Sequence, residues 1–100
     1  MGYTPIPQAK LDELERLLER AAYAHTKAAA QPILARLHSE AATLATQIPD
    51  PYFRGKLSKA ILYAEHAAGQ VKDKEQRISN MASEWYVFRT RVNDTPPTAA

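Results

Sequence analysis

Apolar residues recur along most of the chain at alternating three- and four-residue intervals, the spacing that gathers side chains on one face of an α-helix. In the first half, Leu11, Leu14, Leu18, Ala21, His25 and Ala28 form one such row. Leu34, Leu37, Ala41, Leu44 and Ile48 form a second row, shifted in phase. The shift falls at Ala30-Gln31-Pro32. Proline deletes a backbone hydrogen bond and its ring presses on the preceding turn, so a kink or short break is expected near Pro32. No glycine or loop-forming cluster surrounds it, which favours one kinked helix of about forty residues over two separate ones.

The second half is more regular. Leu57, Ala64, Val71, Ile78, Trp85 and Val92 recur every seven residues, with Ile61, Ala68 and Ala82 on companion positions and Glu75 and Arg89 interrupting that companion row. The repeat predicts one helix more than about 50 Å long at ~1.5 Å rise per residue. Asp50 suits its N-cap and Pro51 its first position, Arg89 and Arg91 suit the negative end of its dipole, and Asn93-Asp94-Thr95-Pro96 stops it. The first helix is expected to open near Pro7, with Asp12, Glu13 and Glu15 complementing the positive end.

A short link at Pro49 to Pro51 between two long helices forces them antiparallel. The expected fold is therefore all-α: a long antiparallel helical hairpin whose facing residue numbers total roughly one hundred. On that ruler Leu44 meets Leu57, and Leu14 meets Trp85. The expected organisation is an N-terminal extended segment at 1–6, a single helical-hairpin domain at 7–94 and a disordered tail at 95–100. Two helices leave Leu17, Tyr23, Ile33, Leu62, Tyr63, Tyr86, Val87 and Phe88 partly wet. A homodimer closing into a four-helix bundle would cover this second stripe, unless a different protein does so.

Composition narrows the function without naming it. The 100 residues include 18 alanines against 19 Leu, Ile, Val and Phe together, so the core is thin. The absence of cysteine excludes disulfides, thiol nucleophiles and cysteine-ligated metal. No apolar run reaches the ~18–20 residues of a membrane span, and no secretory leader pattern opens the chain. The expected location is cytoplasmic, with no membrane partner. A net charge of +2 is far below the basic density of a dedicated nucleic-acid binder. There is no glycine-rich phosphate loop, nucleophile elbow or Glu-x-x-His pair, so neither enzyme activity nor a cofactor or metal is expected.

Three clusters remain as candidates. Trp85, Tyr86 and Phe88, with Arg89 and Arg91, carry the residue types enriched at binding hot spots. Consecutive helical positions point apart, so some of them must face outward or into a second subunit. Tyr52, Phe53, Arg54, Lys56 and Lys59 make a basic, aromatic hairpin tip, where cations oppose the dipole at a cost of about 0.3–1 kcal/mol each. His25 and Glu75 face each other on the ruler as a register-setting polar pair. The expected function is that of a non-enzymatic protein–protein interaction module, such as an adaptor, small chaperone, assembly subunit or inhibitor that binds or occludes a larger partner. The alternative is a nucleic-acid-binding accessory protein using the basic second helix and the tip.

Overall fold

The computed structural model describes residues 5–48 and 50–93. Tyr3, Pro49, the Asp94-Thr95-Pro96 part of the stop signal and the tail at 95–100 lie outside them. Helices α1 (Gln8–Ala22), α2 (Lys27–Ala45), α3 (Pro51–Ala67) and α4 (Lys74–Arg91) make up most of the described residues, with no strand among these. The all-helical expectation holds.

Local chemistry sets each boundary. Pro7, extended at φ −58° and ψ 145°, precedes α1, and its carbonyl accepts from the N–H of Lys10 and of Leu11. The first turn of α1 holds no acidic residue; Asp12, Glu13 and Glu15 sit further along. Thr26, also extended, caps α2, its hydroxyl accepting from Ala29 N at 3.0 Å. Asp50 caps α3 by accepting from Tyr52 N at 2.9 Å, and Pro51 takes the first helical position, as that pair predicts. Asp73 precedes α4 in the left-handed region at φ 62°, which Asp tolerates better than most residues.

Two expectations are corrected by these boundaries. The first long segment is not broken at Pro32, which lies within the continuous helix α2; the break comes earlier, at 23–26, where Thr26 supplies a cap. The second long segment is not one helix either. It stops at Ala67, and Gly69 takes a left-handed φ of +74° just past the C-cap residue Ala68. A Cβ on Gly69 would lie 2.9 Å from the backbone nitrogen of Lys27, so that position requires glycine. Val71, a member of the seven-residue row, consequently falls in the 68–73 link and is 95% exposed.

Each half therefore folds back on itself. Lys10 pairs with Glu40 and Glu13 with Arg36, which runs α1 antiparallel to α2. Lys56 pairs with Glu84 at 3.0 Å, which runs α3 antiparallel to α4. The two links at 23–26 and 68–73 meet at one end, where the Ala24 carbonyl accepts from Gly69 N at 3.0 Å and from Lys74 Nζ at 3.2 Å. At the other end Asn93 holds Ile6 through two hydrogen bonds, Ile6 N donating to Oδ1 and Nδ2 donating to the Ile6 carbonyl. One chain thus supplies all four helices expected from a dimer of hairpins.

The packing is uneven. α1 and α3 press together across the bundle, whereas α2 and α4 do not meet. Ala21 and Ala22 of α1 and Ala60, Ala64 and Ala67 of α3 are fully buried, which gives the many alanines a structural use as small core residues. Around them Leu11, Leu14, Leu18, Leu37, Ile61 and Phe88 are the largest side chains out of water. Burying each contributes about 1.5–3 kcal/mol. No polar or charged residue is buried among the described residues.

Candidate functional site

The two clusters expected at opposite ends of a hairpin come to the same end of the molecule. Folding α4 back along α3 sets the start of α3 beside the end of α4, and the Lys56–Glu84 pair joins them. Their members divide between core and surface. Trp85 and Phe88 are buried and stacked, with ring centroids 5.4 Å apart at 23°. Phe53 is buried edge-on to Tyr52 at 5.1 Å, and Tyr52 is exposed. Trp85, Phe88 and Phe53 are thus held in the interior, and only Tyr52 and Tyr86 of these aromatics offer their rings outward.

Most of the cations are engaged within the chain. Arg89 donates to Asp12 Oδ1 and, at 3.0 Å, to Glu15 Oε1, the same oxygen that accepts from Trp85 Nε1 at 2.8 Å. The Arg89 hydrogen bond holds the Asp12 carboxyl below its ordinary value, and Asp12 in turn raises Arg89. Lys56 sits 5.3 Å from the centroid of the Tyr52 ring, and its bond to Glu84 raises its pKa. Arg54 donates to the Ile48 carbonyl at 2.6 Å. Lys59 and Arg91 are exposed.

His25 lies exposed in the 23–26 link and Glu75 exposed in the first turn of α4, so neither occupies a buried apolar row. The physical reason is the pair of breaks, which moves both off the seam on which the ruler aligned them. His38, not His25, approaches a carboxylate, with Nε2 4.0 Å from Glu65.

A feature absent from the sequence reading appears where α1 and α4 part. These helices are joined at Asp12, Glu15, Trp85 and Arg89 but separate toward the 23–26 link. An open groove of about 920 Å³ lies here, lined by Tyr23 just past α1, by Val71 and Asp73 of the 68–73 link, and by Lys74, Glu75, Gln76, Ile78, Ser79 and Ala82 of α4. Tyr23 is 59% exposed, Ile78 half-buried and Ala82 exposed. Tyr86, 67% exposed, stands one turn beyond Ala82 on α4. The signals for this groove were the Thr26 cap and Gly69, since they split the long helices and expose Val71.

Among the described residues, no group of three or more His, Asp or Glu could hold a metal ion, and no helix is long and apolar enough to cross a membrane. Comparison of the chain with protein-family models, with curated proteins and with solved structures finds no match in any of the three.

Proposed function

We propose that the chain is a non-enzymatic protein–protein interaction module that binds through the outer face of α4 and the adjoining groove. The exposed apolar residues carry this reading: Tyr23 and Val71 stand well out into water in the lining of the groove with Ile78 and Ala82, and Tyr86 is exposed one turn beyond Ala82. The groove mixes these apolar groups with Asp73, Lys74, Glu75 and Gln76, so it offers a partner both apolar contact and polar anchoring. The role is binding or occlusion of a partner, as in an adaptor, assembly subunit or inhibitor, without cofactor or metal.

Nucleic-acid binding through Arg54, Lys56 and Lys59 is the competing reading. It has less support, because Lys56 is already held by Glu84 and Arg54 by the Ile48 carbonyl. Replacing Tyr86 with the photoreactive residue p-benzoylphenylalanine and irradiating the cells that make the chain separates the two. Protein adducts at position 86, absent when the same residue replaces the exposed Gln31 of α2, are expected. Equal labelling at both positions, or adducts with nucleic acid alone, would overturn the proposal.

A further inference from the structure

The three links that turn the chain are not equally secured. The Thr26 hydroxyl caps α2, and the Asp50 carboxylate caps α3 with Pro51 behind it. The 68–73 link has no such device. Asp73 stands where a cap belongs but its carboxylate makes no capping bond, so the first N–H groups of α4 receive none. The turn rests instead on Gly69 at φ +74° and Asp73 at φ +62°, the two left-handed residues of the described chain. The link contains no proline, and the seven-residue apolar row runs straight through it at Val71. Folded back, it leaves Val71 95% exposed.

The pairing of α3 with α4 is centred on the same link. Lys56 and Glu84, joined at 3.0 Å, lie equally far along the sequence from Gln70. A helix running unbroken from 51 to 91 would be about 60 Å long and would carry the α3 and α4 faces on either side of that point. Two such helices, antiparallel about a two-fold axis near Gln70, restore the contacts that α3 makes with α4 in one chain. The Lys56–Glu84 pair then forms twice, each time between chains.

From these observations we infer that 68–73 is a hinge at which two copies exchange α4, the α3 and α4 of each becoming one helix. The occupant of each vacated seat is fixed by the fold, since another copy's α4 presents the same side chains that the first withdraws. A short, strained connection favours this exchange. Straightening releases both left-handed residues and satisfies the uncapped N–H groups of α4 within the helix. It also brings Val71 onto the face of Ala64 and Ile78, beside Val71 of the second copy. It gives up the bond from Gly69 N to the Ala24 carbonyl. The groove is remade in the process: Tyr23 of one copy faces Ile78, Ser79 and Ala82 of the other, and Val71 leaves the lining. Concentration thereby withdraws the groove that a single chain offers. The inference stands on the link and does not depend on what binds the groove.

Refolding from urea at two concentrations tests it. At ~5 µM the chain should return to 11.2 kDa, and at ~1 mM a share should emerge at twice that mass. That dimer should persist for hours after dilution, because reversal requires drawing α4 out of the core. Lys72, exposed in the link, should be cut by trypsin at least ~10-fold more slowly in the dimer, where it lies within a helix. Gly69→Ala burdens only the folded-back link and should raise the ratio of dimer to single chain at least ~10-fold. Inserting Gly-Ser-Gly between Val71 and Lys72 relaxes the turn and interrupts the long helix, so that variant should stay at the single-chain mass at ~1 mM. No dimer of the parent at ~1 mM, a dimer that dissociates within minutes of dilution, or equal dimer in the insertion variant overturns the inference.

Discussion

The same substitution should have opposite effects at two glycines, and the contrast tests the architecture directly. Gly69 has φ +74°, and an added Cβ would sit 2.9 Å from the backbone nitrogen of Lys27. That nitrogen belongs to the first residue of α2 and cannot move aside, because Gly69 N is itself bonded to the Ala24 carbonyl across the same junction. Gly69→Ala therefore incurs about 1–2 kcal/mol for the left-handed backbone and a further cost for the contact. Reduced freedom of the unfolded chain returns about 0.4–1 kcal/mol. The expected net loss is roughly 1–3 kcal/mol, or a Tm lower by about 4–8 °C for each kcal/mol in a domain of this size. Gly55 lies inside α3 with nothing within 4 Å of the corresponding Cβ. Gly55→Ala should gain about 0.5–1 kcal/mol from helix propensity. Urea unfolding followed by far-ultraviolet circular dichroism reads both. In an uninterrupted helix from 51 to 92 both substitutions would stabilise, so a Gly69→Ala variant more stable than the parent refutes the 68–73 link.

Three other outcomes follow from particular contacts. Phe88→Ala should cost about 3–5 kcal/mol by leaving a core cavity, whereas Tyr86→Ala, two positions earlier, should change stability by no more than about 0.5 kcal/mol; comparable losses in urea unfolding would mean that α4 is rotated. Thr26→Ala should lose about 1 kcal/mol through the missing cap on Ala29 N, and a variant unchanged in Tm would remove the cap as the cause of the 23–26 break. Asp12 and Glu13 are held below their ordinary values of 3.8 and 4.5, chiefly by hydrogen bonds from Arg89 and Lys10 respectively. Folded chains therefore bind fewer protons than unfolded ones in that range, so the stabilisation is complete above the ordinary values and is lost as pH falls through the lower folded ones. Tm should drop between about pH 5 and pH 2, less steeply in Asp12→Asn. A flat profile over that range contradicts it.

The site was legible in part. Placing Trp85 against the first helix follows from the apolar rows together with the short link at Pro49 to Pro51, and Trp85 does reach Glu15 of α1. The same rows show that consecutive large residues cannot share one seam, and Tyr86 does turn outward while Trp85 and Phe88 turn in. The groove was hidden because Val71 and Ile78 read as seam residues of an unbroken repeat. A seven-residue period reports which side of a helix is apolar; it does not report whether the helix continues through a glycine. Reading Gly69 as a helix terminator would have moved Val71 to the surface and set α4 beside α3.

Helical content, the Asp50-Pro51 opening of α3 and the apolar faces were determined by the sequence itself, because each depends on interactions within a few residues. Propensity, capping and the 3.6-residue period act over one or two turns, and those are the distances a linear pattern spans. Where the two long segments fold back was decided by tertiary structure. The Ala24 carbonyl, just past the end of α1, accepts from Gly69 and Lys74, residues that reach it once both links stand at the same end. That mutual satisfaction turns two extended helices into four packed ones. It packs α1 against α3 and leaves Ala82 and Tyr86 on α4 exposed.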